Sequence, residues 1–198
     1  ALAGCLFAKQ ELFQIVLLAC TPCFLAGFLE DLTKKVTPIW RLFSSLLSGL
    51  LCYVLLDLKL IGIEQHFLSS IFENSLLMSV IIVVAISSMA NAINILDGLN
   101  GLASGQAIIY LLVLMFFATN YGGGELTAIC YLFLGCIFGF FVVCWPFGKV
   151  FMGDGGSTFL GAFLFGAIIS ENSFYGASKL AILTFPILGD AFITVFIK

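Results

Sequence analysis

Charge is what this chain has least of. Only 10% of its 198 residues are Asp, Glu, Lys or Arg, and 62% are hydrophobic, whereas a soluble domain carries roughly 25% charged residues. A soluble fold of this size has too little interior to hide that much apolar surface, so a soluble enzyme or binding module is excluded. Eight basic residues against eleven acidic ones leave a net charge of −3, and no nucleic-acid partner is expected. Histidine is almost missing, with His66 alone. The pair Cys20-Thr21-Pro22-Cys23 has redox or zinc spacing but lies in an apolar run, with no second pair and no histidine nearby. These cysteines are read as small buried packing residues, and disulfide frameworks belong to small secreted domains. There is no basic leader with a small-residue cleavage site, no internal repeat, no heptad and no low-complexity linker.

What the chain does have is long apolar runs. A bilayer-spanning helix takes about 20 mostly apolar residues. Such runs lie near 12–29, 41–59, 76–93, 102–119, 126–144, 157–172 and 178–197, the sixth with a short apolar core. In lipid only helices and closed barrels satisfy their own backbone, and these runs are too long and too uniformly apolar for barrel strands. The sequence therefore predicts an all-α, polytopic transmembrane bundle of about seven spans, one catalytic domain over 1–198. Tyr121-Gly122-Gly123-Gly124-Glu125 is a tight turn, and 60–75 is the longest connection, suited to a surface helix at the interface. Both ends fall in apolar stretches, so an internal piece of a longer protein is expected.

Parity sorts the connections. Loops 30–40, 91–101 and 145–156 are separated by pairs of spans and emerge on one face, with Lys34, Lys35, Arg41, Lys149 and Lys198. The other face holds Lys9, Lys59 and Lys179; Asp190, after Pro186, fits either a deeper kinked-helix site or the cytoplasmic end of its span. The basic bias puts the first face in the cytoplasm.

The polar residues that are costly at a membrane boundary lie in those three loops. Glu30 and Asp31 close the first span and are followed within ten residues by three bases; an ordinary solvated loop accounts for them equally well. Asn91, Asn94 and Asp97 recur every third residue, which in a helix puts them near one face. Helix caps and turn glycines explain Gly98 and Gly101 but not three polar side chains that must each be satisfied. Gly153-Asp154-Gly155-Gly156-Ser157-Thr158 precedes an apolar helix that Ser157 or Thr158 can begin. Free N–H groups at such a start form an anion site. Asp154 beside it suits Mg²⁺ bridging carboxylate and phosphate; a bare glycine turn is the competing reading. Together these features point to chemistry on a diphosphate where a lipid could come in from the side.

Three stretches, GFLEDLTKKVTPIWRL, NAINILDGLNGLASG and FMGDGGSTFLG, resemble in order and spacing the motifs of the polyprenyl-phosphate N-acetylhexosamine-1-phosphate transferases. That superfamily includes phospho-N-acetylmuramoyl-pentapeptide transferase and the enzymes that start O-antigen, teichoic acid and eukaryotic N-glycan lipids. The resemblance implies a ten- or eleven-helix enzyme of the bacterial inner membrane, active on its cytoplasmic face, that uses Mg²⁺, a UDP-sugar and undecaprenyl phosphate. It implies that Asn94 and Asp154 hold Mg²⁺, that Asp97 lies at the nucleotide site and that Arg41 lies near the phosphates. Asp31 matches the second acid of a pair acting near the lipid phosphate. Asp31, Asp97 and Glu30 are thus the candidate catalytic acids, with Asn91, Asn100, Arg41, Lys34, Gly155 and Ser157 as candidate substrate contacts. Glu30 stands where the pair has its first Asp, and Asn100 where many bacterial relatives have Asp. The family's histidine-containing loop would follow Lys198, and His66, on the opposite face, cannot replace it. The apolar surface would tolerate a homodimer, though nothing specifies one.

On this reading a lipid-phosphate oxygen attacks the phosphorus that bears the sugar, and UMP leaves. A phosphate monoester, with a second pKa of about 6, is already largely ionised at neutral pH, so no strong base is required. Asp31 then orients the nucleophile or takes a residual proton; a covalent phospho-carboxylate on Asp97 or Asp31 is the less favoured route. A transporter would place its site near the midplane between repeats, whereas these motifs sit at span ends. An inactive homologue is opposed by Asn94, Asp97 and Asp154 and weakly favoured by Glu30.

Overall fold

The computed structural model describes residues 11–56, 75–121, 124–148, 150–170 and 189. The proposed interfacial connection with His66, most of the seventh span with Asp190, and Lys9, Lys59, Lys149, Lys179 and Lys198 lie outside the described residues. The elements are all α-helices: α1 (Glu11–Ala19), α2 (Thr21–Thr33), α3 (Pro38–Leu55), α4 (Ser75–Leu96), α5 (Leu102–Tyr121), α6 (Gly124–Cys144) and α7 (Gly153–Ser170). Helices α3 to α6 are each long and apolar enough to cross a membrane, and α7 is a shorter apolar helix. Leu47 and Val54 of α3, Val84 of α4, Phe116 of α5 and Val142 of α6 are exposed, as suits side chains solvated by lipid. The protein is a polytopic helical membrane protein.

The first apolar run, expected as one helix over 12–29, is two helices broken at Cys20. Pro22 has no N–H to give and sits in the first turn of α2. The Cys23 N–H instead donates to Ser48 Oγ of α3 at 3.1 Å, and Thr21 Oγ1 donates to the Leu17 carbonyl at 3.1 Å. Cys20 and Cys23 are buried free thiols in the core. Helix α2 then runs to Thr33, so Glu30 and Asp31 belong to a helix and not to a loop. Likewise α4 continues past Asn94 to Leu96, and α7 starts at Gly153, earlier than Ser157 or Thr158.

Helix α7 is the centre of the bundle, packed along both α2 and α4, while α3 lies on α4 and α5 pairs with α6. Glycines set these crossings. A Cβ on Gly161 would stand 2.7 Å from the Ala90 Cα and inside the Met89 carbonyl; one on Gly49 would stand 2.8 Å from the Val83 carbonyl oxygen. Without a strong hydrophobic drive between helices in lipid, such close backbone packing is what holds them together. It also brings the ends of α2 and α4 and the start of α7 to one end of the bundle, where the three motif-bearing connections meet.

Gly161→Ala should therefore destabilise the detergent-solubilised protein by about 1–3 kcal/mol, the usual range for overpacking. Gly135→Ala on α6, where a Cβ would meet nothing within 4 Å, should leave the unfolding midpoint unchanged or slightly raised.

Candidate active site

The first N–H groups of a helix have no intrahelical acceptor, and those of α7 are satisfied by carboxylates far away in sequence. The Asp154 N–H donates to Asp31 Oδ1 and the Gly155 N–H to Asp31 Oδ2, each at 3.0 Å. The Gly153 N–H donates to Asp97 Oδ2, also at 3.0 Å. Asp31 comes from the last turn of α2, and Asp97 directly follows α4. This reach depends on backbone-to-backbone contact between α2 and α7. A Cβ on Gly27 would stand 2.5 Å from the Asp154 carbonyl and the Gly155 nitrogen, and one on Gly155 would stand 2.8 Å from the Phe28 nitrogen. A carboxylate at the positive end of a helix adds about 0.3–1 kcal/mol.

Two sequence expectations change here. The N–H groups that were to cradle a phosphate, that of Gly155 included, already hold carboxylates, because α7 begins four residues earlier than expected. Ser157, placed in the same cradle, is buried and donates its hydroxyl to the Gly153 carbonyl at 2.6 Å. Both residues build the helix start.

Beside that turn lies an open cavity of about 670 Å³. Its polar wall is Asp31, Lys34, Asn94, Asp97 and Asp154, and Ile95 and Phe151 form an apolar wall with Gly98 and Gly153. Arg41, in the first turn of α3, donates through Nη1 to Asp154 Oδ2. Lys34 Nζ lies 3.7 Å from Asp31 Oδ1, an exposed pairing of little energetic weight. The carboxamide of Asn94 has no hydrogen-bond partner among the described residues and lines the cavity.

Three candidates lie elsewhere. A step of three residues turns a helix through 300°, so each step drifts back by about 60°. Asn91, two steps before Asp97, therefore faces α3: its Nδ2 donates to the Ser87 carbonyl at 2.7 Å and to Ser45 Oγ at 3.2 Å. Ser45 and Ser87 are themselves joined at 2.6 Å, a buried polar bridge that the sequence reading missed. Asn100 borders a separate groove of about 260 Å³ with Phe141 and Trp145, and its Nδ2 lies 3.5 Å from the Pro146 carbonyl. Glu30 is absent from the cavity wall, and its Oε2 accepts the Val36 N–H at 2.8 Å.

Burial pushes the Asp97 carboxyl up to about 6, against the N–H groups of Gly153 and Met152, and the charges of Asp154 and Asp31 add to the rise. Three carboxylates face two cations in this neighbourhood, which leaves negative charge on hard oxygen donors. Among the described residues no group of three or more His, Cys, Asp or Glu could enclose a metal, as a structural Zn²⁺ or Ca²⁺ site would need. One carboxylate and one carboxamide, open to water and phosphate oxygens, do fit Mg²⁺, which keeps most of its coordination for those.

The family model for glycosyl transferase family 4 matches residues 13–172, which include every residue of this cavity. The chain belongs to this family. It is the superfamily of polyprenyl-phosphate hexosamine-1-phosphate transferases that the three motifs resemble. Among its curated relatives, the phospho-N-acetylmuramoyl-pentapeptide-transferase of Campylobacter jejuni serotype O:6 is 32% identical over 193 residues, covering 82% of this chain and 54% of the relative. The protein of that name from Streptococcus uberis is 32% identical over 152 residues, with 70% and 43% covered. That from Streptococcus agalactiae serotype Ia is 30% identical over 165 residues, with 82% and 49% covered. The chain thus spans about half the length of the curated relatives it matches. For this family member the cavity is the candidate active site.

Two outcomes test this geometry. Lys34 caps α2 in the left-handed conformation, with φ of 53°, where a side chain costs about 1 kcal/mol relative to glycine. Lys34→Gly should therefore raise thermal stability by up to about 1 kcal/mol while removing a cation from the cavity wall. The raised Asp97 value means that the folded protein binds the proton more tightly than the unfolded chain, so this group's contribution to stability falls as pH rises from about 4 to 6. Without divalent cations, Asp97→Asn should gain stability relative to the parent across that window, measured as the difference in unfolding midpoint.

Proposed function

We propose that the full protein transfers a sugar 1-phosphate, from a UDP-N-acetylhexosamine, to undecaprenyl phosphate at the cytoplasmic face of a bacterial inner membrane. The products are UMP and the diphosphate-linked lipid that starts a cell-surface glycan of the cell-wall or O-antigen type. The observation that carries this reading is the meeting of Asp31, Asp97, Asp154 and Lys34 around one cavity at the end of an apolar bundle, with Arg41 paired to Asp154. Family membership and the similarity to phospho-N-acetylmuramoyl-pentapeptide-transferases support it.

In the proposed reaction an oxygen of the lipid phosphate forms a bond to the sugar-bearing phosphorus, and the bond from that phosphorus to the UMP oxygen breaks. The nucleophile is already anionic, so the chief obstacle is the approach of two anions. Arg41, on Asp154, and Lys34, beside Asp31, supply positive charge. Asp154 Oδ1 and the Asn94 carboxamide oxygen are the oxygens left for Mg²⁺: both oxygens of Asp31 accept backbone N–H groups, Asp97 accepts those of Gly153 and Met152, and Asp154 Oδ2 accepts Arg41. When bound there, Mg²⁺ would neutralise charge on the diphosphate, worth several kcal/mol. Asp31 and Asp97 hold the first turn of α7 and so fix where the Asp154 carboxylate points. Ile95 and Phe151 offer the donor an apolar wall to lie against. Fixing two substrates in one geometry contributes the rest.

The test uses the full-length protein in membranes with Mg²⁺, undecaprenyl phosphate and a panel of UDP-N-acetylhexosamines, following UMP. Release should occur with one donor, require the lipid, and fall about 100-fold or more in Asp154→Asn. Near-normal turnover of Asp154→Asn would remove Asp154 from the metal site, and silence of folded protein across the panel would sink the proposed donor class.

A further inference from the structure

Glu30 occupies the position where the family's pair has its first acid, yet it does not face the cavity. Its Oε2 accepts the Val36 N–H at 2.8 Å, while its backbone carbonyl accepts the Lys34 N–H at 2.8 Å. One residue thus fastens both sides of the short reversal from α2 to α3. The reversal has little else to hold it. Thr37, which precedes α3, makes no side-chain cap, and the Lys35 N–H reaches Thr33 Oγ1 only at 3.3 Å. Lys34 and Lys35 are exposed, and Lys34 is held in a left-handed conformation. On the far side, α3 opens with Pro38 and reaches Arg41 within one turn, and Arg41 engages Asp154, a residue of the cavity wall. The neighbouring Asp31 points a different way, onto the N–H groups of α7. The two adjacent acids therefore hold two different segments, Asp31 the start of α7 and Glu30 the turn that leads into α3.

We propose that Glu30 is a positioning residue, whose carboxylate ties the α2–α3 reversal so that Lys34 faces the cavity and Arg41 meets Asp154. It exchanges no proton with substrate. What the tie needs is an acceptor oxygen at the end of a three-bond side chain, not a negative charge. Glutamine supplies that oxygen; alanine does not, and aspartate is one methylene short. The consequence for turnover rests on the reaction proposed above, while the tie itself does not.

The experiment compares Glu30→Gln, Glu30→Asp and Glu30→Ala in the full-length protein, with two readouts. The first is tryptic cleavage at Lys34 and Lys35 under native conditions, which reports whether the reversal is held. The second is UMP release. Glu30→Gln should cleave as slowly as the parent and keep turnover within about threefold, whereas Glu30→Ala should cleave faster and lose turnover at least about tenfold, the size of one charge-assisted hydrogen bond. Glu30→Asp should fall between them. A Glu30→Gln protein with an intact reversal but turnover as poor as Glu30→Ala would overturn the proposal and make the charge itself part of the chemistry. Unchanged cleavage and turnover in Glu30→Ala would overturn it from the other side. If the parent released no UMP, the reaction reading would fall, and the cleavage pattern would still decide the tie.

Discussion

Everything at the cavity end of this protein hangs on how the first turn of α7 is closed. Three consecutive N–H groups are satisfied by two carboxylates that belong to other helices. That arrangement fixes the distance between α2, α4 and α7 at the place where the reactive groups converge. It is possible only because Gly27 and Gly155 let two backbones touch. Burying the Asp97 carboxylate is unfavourable, as its raised value records, and the helix end offsets part of that cost. The same turn carries Asp154, so the residue that meets Arg41 is oriented by the residues that close the helix.

Much of the architecture was legible because membranes restrict the alternatives. Length and apolarity located the helices from α3 to α7 to within a few residues, and counting spans placed the three polar connections together. The break at Cys20 escaped that reading, since Pro22 lies in a run whose composition is unbroken, and the compensating acceptor, Ser48, comes from another helix. Helix ends were set too short at Thr33 and Leu96 and too late at Gly153, because polarity was taken as the end of a helix. In this bundle Glu30, Asp31 and Asp154 lie inside the last or first turn of a helix, and Asp97 lies just past the end of one.

The site was legible as a set of residues more than as an arrangement. Asp31, Lys34, Asn94, Asp97 and Asp154 line one cavity. Asn91 was grouped with them by spacing, but a period of three drifts around a helix, and the side chain joins Ser45 and Ser87 instead. Gly155 and Ser157 were read as a phosphate cradle since nothing in a linear sequence shows that an acid more than 120 residues earlier fills it. The geometry also alters how substitutions at Asp31 are read. An amide there would turn an N–H₂ group toward the N–H of Asp154 or Gly155, donor against donor. Loss of activity on Asp31→Asn is therefore no evidence that Asp31 acts as a base.

The long separation between Asp31 and its partners has a consequence in time. The Asp154 N–H is made 123 residues after the carboxylate it meets, which at roughly 5–20 residues per second is on the order of ten seconds of synthesis. Through that interval α2, joined part-way by α4, carries an acid at its end with nothing to close against. The cavity is completed by the arrival of α7, so insertion order, and not only sequence, decides when this end of the bundle becomes competent. A nascent chain halted before Gly153 would hold two of the three carboxylates and no site at all.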